Sequence, residues 1–300
     1  LTSGFRKENI IYNPEFLTEK NANEDFINPS MHIFGGSIKA TTNLQNFYHD
    51  YTICTPCPTI HCTPEEASFI KYGINCFLAS KVAWFNQFYD IIEKSGQNWN
   101  TIVNAIGSDE RIGKRFLFPG IGYGGSCFPK DVKALIKTAK ENNYDMRILD
   151  AVENVNENQK EVLFNKVKHH FNGELKDKKF ALWGLSFKPK TDDMREAPSI
   201  NLIKSLVKAG AVVNAYDPQA IYEAKFYLEG LKINYFDNKY NALKKSDAVI
   251  LVTEWKEFRS PDFEEIKTLL KSPVIFDGRN QYNVFNIEEK GFEYFQIGKN

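Results

Sequence analysis

The 300-residue sequence has no excess of either charge, no long apolar run and few cysteines. Lys+Arg and Asp+Glu both total 38. A nucleic-acid binder needs a net basic surface, so we expect no nucleic-acid partner. No apolar run is long enough to cross a bilayer, and Leu1–Ile10 lacks the apolar core of a signal peptide, so we expect no membrane association. The 42% hydrophobic content is typical of a globular protein.

The five cysteines are an odd number and are unevenly placed, which is typical of free thiols in a reducing cytoplasm. Cys54, Cys57, His61 and Cys62 lie close together and resemble part of a metal knuckle. No second ligand pair follows them, and a structural zinc ion needs four convergent ligands. The segment therefore favours a strand and loop with small buried thiols, and we expect no metal.

The first 62 residues predict the end of an α/β domain. Asn9–Tyr12 and Met31–Phe34 are predicted strands, and Thr42–Tyr51 is helical in pattern. Because these few elements cannot form a complete sheet, residues 1–62 are interpreted as the remnant of a Rossmann-like domain.

A long helix is predicted next. Thr63-Pro64-Glu65-Glu66 is a capping box with proline at the first helical position, and apolar residues at helical spacing continue to Ser95-Gly96. Further helices are predicted at Asn100–Ile106, Pro129–Glu141 and Arg147–Lys168. We expect residues 63–170 to be a helical domain, with the long helix available for a second subunit.

Strands and helices alternate in residues 171–300. The predicted strands are Phe180–Leu185, Val212–Tyr216, Ala248–Thr253, Val274–Phe276 and Phe292–Ile297, with helices such as Ile200–Lys208 and Phe263–Leu270 between them. Apolar strands in this order predict a doubly wound, mostly parallel sheet. The overall fold class is therefore α/β, with a Rossmann-like remnant, a helical centre and a C-terminal sheet domain.

The segment Phe118–Asp131 carries the strongest chemical signal. Its glycines between Gly120 and Gly125 let the backbone approach a ligand closely. Cys127 comes just before Pro129, the predicted first residue of a helix, and the helix dipole and Lys130 favour a nucleophilic thiolate. Asp131 is placed to orient a water or a lysine. From these residues alone, a glycine-rich turn with an inert buried cysteine remains an equal alternative.

Gly122–Asp131, GYGGSCFPKD, resembles the catalytic-cysteine signature of the UDP-glucose/GDP-mannose dehydrogenase family. Other segments resemble the family's motifs in the expected order, and the resemblance runs from end to end. They are Asn13–Leu17, the helical pair Lys71 and Asn75, Arg111–Gly113, Gly184–Pro198 and Phe276–Arg279.

The resemblance implies an NAD-dependent oxidation of UDP-glucose to UDP-glucuronate. Cys127 is then the nucleophile that attacks a C6 aldehyde, passing through a thiohemiacetal and a thioester. Lys71 and Asn75, with a water, stabilise the oxyanion, and Asp131 supports them. Glu15 is the base for thioester hydrolysis. Taken singly, each charged residue has the alternative of an ordinary surface position.

The resemblance also assigns residues that bind substrate and cofactor. Lys188 and Arg279 are the cations expected to grip the diphosphate. The remaining expected substrate residues are Glu19, Arg111, Phe116, Tyr123 and Gly124, and the expected cofactor residues are Lys130 and Arg195. Asp217-Pro218 is interpreted as a structural turn at a strand end.

No G-x-G-x-x-G occurs in the sequence, although that fingerprint opens chains of the family. We therefore expect this chain to bind NAD poorly, to be inactive alone, and to need a separate NAD-binding fragment as a partner. The alternatives are a GDP-mannose 6-dehydrogenase, a non-catalytic nucleotide-sugar-binding or dimerisation module, and an unrelated acyl-transfer enzyme that uses Cys127. Ser126 and Phe128–Asp131 resemble the UDP-glucose branch.

Overall fold

The computed structural model describes residues 10–17, 21–51 and 53–299. The chain divides into two compact units, Leu1–Cys76 and Phe77–Asn300. The division falls within one long helix. The predicted boundaries near residues 62 and 170 stay a prediction.

The first unit contains a two-stranded parallel sheet, β1 (His32–Gly35) and β2 (Thr59–Cys62). Helix α1 (Ala22–Ile27) precedes β1, and α2 (Ile38–Asp50) connects the two strands. This is a single βαβ step, so the Rossmann-like portion is only partial in the described residues.

The predicted strand Asn9–Tyr12 is wrong for the residues that are described there. Only Tyr12 pairs, through an isolated antiparallel bridge in which its N–H donates to the carbonyl of Gly35 at 2.8 Å. Pro14 follows two residues later and has no N–H to donate, so the pairing cannot continue.

Helix α3 (Pro64–Ser95) begins and ends as the sequence predicts. The Thr63 N–H donates to Glu66 Oε2 at 2.8 Å, and the Glu66 N–H donates to Thr63 Oγ1 at 3.1 Å. This reciprocal pair is the predicted capping box. Gly96 takes a φ of +69°, the left-handed conformation that ends the helix.

The second unit continues with α4 (Trp99–Gly107), α5 (Phe128–Glu141) and α6 (Arg147–His170). These helices confirm the predicted ones. Helix α5 starts one residue earlier than expected, so Pro129 occupies its second position. Proline remains compatible with the first turn because its missing N–H has no partner there.

The remainder of the second unit is built on a six-stranded parallel sheet of order β5-β4-β3-β6-β7-β8. The strands are β3 (Lys179–Trp183), β4 (Val212–Tyr216), β5 (Ile233–Tyr235), β6 (Ala248–Leu251), β7 (Val274–Asp277) and β8 (Glu293–Gln296). The helices between them are α7 (Pro198–Lys208), α8 (Ile221–Tyr227), α9 (Lys239–Leu243) and α10 (Phe263–Leu269). This is the Rossmann strand order, which reverses between β3 and β6.

Apolar side chains cover both faces of this sheet. Phe180, Leu182 and Ile250 belong to a buried cluster on one face, and Trp183 and Leu251 belong to a cluster on the other. Successive strand residues point to opposite faces, so continuous apolar runs are required when both faces are covered. The predicted doubly wound sheet is confirmed.

The sequence missed β5, α8 and α9. Ile233–Tyr235 has only three residues and mixes half-buried and exposed positions, so no buried run marks it. Strand β3 ends at Trp183, two residues before the predicted end, because Gly184 turns the chain with a φ of +97°. Among the described helices, none combines the length and the apolar content needed to span a bilayer.

Candidate active site

Cys127 is exposed and occupies the N-cap position of α5. Its carbonyl accepts a hydrogen bond from the Asp131 N–H at 2.9 Å, and its Sγ lies 3.6 Å from Ser126 Oγ. The predicted place at a helix N-terminus is therefore confirmed. The alternative of a buried cysteine is wrong, because the thiol is open to solvent, and the reactivity of the thiol stays a prediction.

Asp131 lies one turn into α5 and is completely buried. Lys130 Nζ is 2.8 Å from Asp131 Oδ1, while most of the Lys130 side chain remains exposed. Asp131 was predicted to orient a water or a lysine, and the lysine that its carboxylate contacts is Lys130, its neighbour in sequence. Lys130, predicted to face the cofactor, keeps its charge close to the cysteine segment.

The glycine loop, Gly120–Gly125, contacts the loop between β3 and α7 through backbone atoms. A Cβ added to Gly124 would overlap the carbonyl oxygen of Glu196 and lie 2.8 Å from its carbonyl carbon. A Cβ on Gly125, whose φ is +85°, would lie 2.5 Å from the Phe187 ring. The Gly125 N–H also donates to the carbonyl of Arg195 at 2.7 Å. Glycine is therefore required at both positions.

Helix α6 holds the glycine loop from the other side. The Tyr123 N–H donates to Asn156 Oδ1 at 2.8 Å, and Asn156 Nδ2 donates back to the Tyr123 carbonyl at 3.1 Å. Gln159 Nε2 donates to the carbonyl of Gly120 at 2.7 Å. Neither amide was predicted from the sequence. Their only signal was a pair of amides three residues apart on a helix, and both are buried.

Arg279 links the carboxyl ends of the central strands to the glycine loop. Its Nε donates to the carbonyl of Val252 at 2.7 Å and lies 3.2 Å from Glu254 Oε2. Its Nη2 donates to the carbonyl of Phe187 at 3.3 Å. Its Nη1 is 3.3 Å from where a Gly120 Cβ would be. The guanidinium thus lies at the switch point where open α/β sheets bind ligands.

Lys188 and Arg195 lie on the β3–α7 loop, residues 184–197. Lys188 Nζ is 4.9 Å from the centre of the Phe187 ring. Arg195 binds Asp193 with its Nε at 2.9 Å and its Nη2 at 2.8 Å. Although burial opposes the shift, the Arg195 guanidinium lowers the pKa of Asp193. Lys188 thus packs on Phe187, the residue whose carbonyl accepts from Arg279, and Arg195 is held by its own loop.

Asp217, at the end of β4, is buried and fully engaged by the protein. Its Oδ2 accepts from the N–H groups of Leu185 at 2.7 Å and Ser186 at 3.2 Å and from Trp255 Nε1 at 3.0 Å. Its Oδ1 accepts from the N–H of Gln219 at 2.9 Å. An acidic residue at this place in a dinucleotide-binding sheet binds the ribose. Here it forms the predicted structural turn, so this sheet lacks that feature.

Asp277, at the end of β7, belongs to the motif Phe276–Arg279, but no role of its own was predicted for it. It is completely buried, and its carboxylate accepts from the Arg279 N–H at 2.9 Å, the Tyr282 N–H at 3.1 Å and the Tyr294 hydroxyl at 2.9 Å. Burial raises the pKa of Asp277, although these donors oppose the shift. The residue fixes the backbone that carries Arg279.

In the first unit, the structure brings Lys71 and Glu15 together. Lys71 Nζ donates to the backbone carbonyl of Glu15, and it lies 3.5 Å from Glu15 Oε1 and 5.0 Å from the centre of the Phe16 ring. The Lys71 side chain is only 12% exposed, so it is not the surface lysine of the alternative interpretation. Asn75 is buried one turn further along α3. Glu19 lies outside the described residues.

Two of the other predicted substrate residues, Phe116 and Tyr123, lie near the cysteine segment, and Arg111 has no described contact with it. The Phe116 and Tyr123 rings lie 6.2 and 5.7 Å from the Phe128 ring, and Phe116 has a φ of +64°. Arg111 is exposed and binds Asp109 through its Nη2 at 2.6 Å. No contact in the described residues joins Arg111 to Cys127.

No metal centre is formed in the described part of the chain: no three His, Cys, Asp or Glu side chains converge on one point there. In the segment considered for a metal knuckle, Cys54 Sγ lies 3.8 Å from His32 Nε2. Burial raises the pKa of both Cys54 and Cys57.

These observations define an α/β protein with an exposed cysteine at a helix N-terminus and an arginine at the carboxyl edge of a sheet with Rossmann strand order. Family models agree: residues 65–158 match the central domain, and residues 181–284 the UDP binding domain, of the UDP-glucose/GDP-mannose dehydrogenase family. The chain belongs to this family.

Relatives and solved structures agree with this assignment. The chain is 41% identical over 97% of its length to the UDP-glucose 6-dehydrogenase of Pseudomonas aeruginosa, covering 65% of that protein. It is 38% identical to the enzyme of Rickettsia conorii, covering 67%. A UDP-glucose dehydrogenase structure from Pyrobaculum islandicum superposes with a TM-score of 0.84 at 31% identity, over 96% of this chain and 63% of that one. The chain thus spans about two thirds of the length of these relatives.

Proposed function

We propose that this chain supplies the nucleophile and the nucleotide-sugar site of an enzyme that oxidises UDP-glucose to UDP-glucuronate. The main support is the position of Cys127: its thiol is exposed at a helix N-terminus, and its glycine loop lies against Arg279. Relatives at up to 41% identity carry the name UDP-glucose 6-dehydrogenase. This also favours the UDP-glucose branch over GDP-mannose.

The nucleotide diphosphate is proposed to bind at the carboxyl ends of β3, β6 and β7. Lys188 and Arg279 supply the positive charge there. Glu254 and the carbonyl of Val252 hold the Arg279 head in place before a ligand arrives. Such preorganisation lowers the ordering cost of binding. The glycine loop packs closely against Arg279 and the β3–α7 loop, and this packing is proposed to bring the bound sugar near Cys127.

Cys127 is proposed to act on the aldehyde that results from the first two-electron oxidation at C6. The thiolate adds to the aldehyde carbon, and the oxygen takes up a proton, which gives a thiohemiacetal. Loss of a hydride from carbon and of the hydroxyl proton gives a thioester. Water then adds, the carbon–sulfur bond breaks, and the carboxylate and the thiol are released.

Proton transfer and oxyanion stabilisation are proposed for Lys71, Asn75 and Glu15. The Lys71 side chain is mostly buried and contacts the Glu15 backbone and side chain, so an acid and a base lie within reach of each other. Asp131 is proposed to keep Lys130 in place beside the cysteine. Glu15 is proposed to activate the water that cleaves the thioester.

NAD is the hydride acceptor that the family resemblance implies. The residues present do not form a complete site for it: the 300 residues hold no G-x-G-x-x-G, and Asp217 is occupied by protein donors. What this chain contributes to the reaction is the thiol, the proton-transfer groups and the nucleotide-sugar site. Lys130 and Arg195 remain the proposed residues on the cofactor side.

We also propose that a second copy of the chain covers an apolar groove on α3 and α6. The groove has a volume of about 580 Å³, and its walls include Phe77, Trp84, Ile112, Ile148 and Val152. The side chains of Phe77 and Ile148 are 72% and 75% exposed. Apolar surface of this kind marks an interaction site because its exposure to water is costly.

The oxidation is tested by measuring NADH formation in the gene product that contains this chain. With UDP-glucose, we expect two NADH per sugar consumed, because alcohol-to-acid oxidation removes two hydrides. Cys127→Ala should lower turnover about a thousandfold or more. Cys57→Ala, a half-buried thiol outside the proposed site, is the matched control and should retain turnover. Turnover of GDP-mannose in place of UDP-glucose, or full activity of Cys127→Ala, would contradict the proposal.

A further inference from the structure

Glu196 occupies an unusual place where three segments of the second unit meet. It is the residue just before Ala197 at the end of the β3–α7 loop, and its φ is +53°. A left-handed conformation is uncommon for a residue with a side chain and persists only where the surroundings impose it. Its carbonyl group packs on Gly124, so its backbone touches the glycine loop.

The Glu196 carboxylate reaches two helices. Its Oε1 accepts from Lys133 Nζ of α5 at 2.7 Å, and its Oε2 accepts from Lys160 Nζ of α6 at 3.3 Å. Lys133 also lies 3.4 Å from Glu153 Oε1, and Lys160 donates to Glu157 Oε1 at 2.6 Å. Hydrogen bonds from Lys133 and the charges of both lysines lower the pKa of Glu196.

Lys160 makes this arrangement more than a surface ion pair. Its side chain is 1% exposed, and a buried ammonium group is costly unless carboxylates compensate it. Its Cγ lies 3.2 Å from where a Gly122 Cβ would be, so it also supports the glycine loop. The two helices that Glu196 joins are those that carry Cys127 at one end and the amides Asn156 and Gln159.

We infer that Glu196 is a positioning residue that clamps the β3–α7 loop against the segment bearing Cys127. The inference rests on the proposed function, in which the diphosphate is held on that loop and the sugar carbon must reach the sulfur. The distance from the diphosphate site on the loop to the Cys127 sulfur then decides how often the bound sugar carbon lies within bonding range of that sulfur. A shift of about 1 Å in such geometry lowers a rate by roughly a hundredfold.

The experiment compares tethered and untethered alkylation of Cys127. One probe is UDP carrying a chloroacetamide on a linker of about hexose length; the other is free chloroacetamide. The rate is followed by mass spectrometry of the Cys127 peptide, and UDP affinity is measured by calorimetry. In the parent protein we expect the tether to accelerate alkylation by about a hundredfold or more at equal concentration.

Glu196→Gly retains the left-handed backbone without strain and removes the carboxylate. We expect it to lower the tethered acceleration by about tenfold or more, with the free-probe rate and UDP affinity within about threefold of the parent. Glu196→Gln, which retains one acceptor, should be intermediate and serves if the glycine variant does not fold. Glu229→Gln, an exposed carboxylate beyond α8, is the control and should match the parent.

The outcomes separate the two proposals. If the parent shows no tethered acceleration, the sulfur is not within reach of the nucleotide site, and the proposed function fails together with the role of Glu196. If the parent is accelerated and both Glu196 variants equal it, only the positioning role is overturned. A loss of acceleration that merely follows an equal loss of UDP affinity or of free-probe reactivity also overturns it.

Discussion

Two regions of the second unit differ in how their side chains are satisfied. One is the sheet edge at the carboxyl ends of β3, β6 and β7, and the other is the groove on α3 and α6. At the edge, buried carboxylates such as Asp217 and Asp277 accept several hydrogen bonds each and fix the loops before any ligand arrives. In the groove, apolar side chains such as Trp84 and Ile148 stand exposed. Contacts within the chain hold the edge, whereas the groove leaves apolar surface exposed, and a second copy of the chain is proposed to cover it.

The largest loss of stability is expected from adding an atom to the glycine loop, which packs against the β3–α7 loop at the sheet edge. Gly124→Ala places a methyl group against the Glu196 carbonyl. Because this contact is with main-chain atoms, the overlap is relieved only if the backbone of one of the two loops moves. We expect a loss of about 3 kcal/mol in the free energy of unfolding. Gly73→Ala, at a helical position with nothing within 4 Å, should instead stabilise by about 0.5–1 kcal/mol. Urea unfolding monitored by circular dichroism measures both, and equal behaviour of the two variants would refute the backbone contact.

The groove is tested by introducing a charge where a partner is proposed to bind. Trp84→Glu should weaken self-association by about 2 kcal/mol, or roughly thirtyfold in Kd, since buried tryptophans dominate interface energies. Analytical ultracentrifugation measures the change, and UDP affinity, which depends on the other region, should stay the same. Lys204→Glu, an exposed position on α7, is the control. If the parent chain is monomeric at all concentrations, the proposal that a second copy covers the groove is wrong.

Asp277→Asn tests whether the buried carboxylate at the sheet edge supports UDP binding as well as stability. The amide retains one acceptor oxygen but turns an NH2 group toward a site that now receives several donors. We expect a loss of about 1–2 kcal/mol in the free energy of unfolding and a measurable fall in UDP affinity, because the backbone carrying Arg279 is released. Calorimetry tests the second effect. Unchanged affinity in a folded variant would show that Asp277 supports only stability.

The smallest effect is a pH dependence at Glu196. Its folded-state pKa lies below the ordinary value of 4.5, so the unfolded chain binds the proton more readily. The stabilisation is therefore present above the ordinary pKa and is lost as the pH falls through the lowered one. The Tm difference between the parent and Glu196→Gln should shrink between about pH 5 and pH 3. Glu229→Gln should show no such trend, and a difference that grows on acidification would contradict the assignment.

Local sequence signals predicted local structure well. The capping box at Thr63 and Glu66 and the stop at Gly96 depend on residues within one helical turn. The cysteine segment was found for the same reason, since its glycines, its thiol and its helix start are contiguous. The continuous apolar strands likewise predicted a sheet buried on both faces.

The contacts that support the site are distant in sequence and were not predictable in this way. Asn156 binds Tyr123 across 33 positions, and Gln159 binds Gly120 across 39. Asp277 and Glu196 resemble ordinary acidic residues until the fold surrounds them with donors. Their roles arise from tertiary structure, which one sequence without its fold does not reveal. The predicted strand at Asn9–Tyr12 was wrong, for its described residues, because Pro14 has no N–H with which to continue the pairing beyond Tyr12.

The packing of the Glu196 carbonyl on Gly124 limits how this protein can be re-engineered. Because a Cβ at Gly124 would meet main-chain atoms of Glu196, exchanging side chains at other positions of the two loops leaves this backbone contact in place. Library designs aimed at a different hexose should therefore keep Gly124 and Glu196, vary other proposed substrate residues such as Phe116 and Lys188, and change loop length where the spacing of the two loops must change.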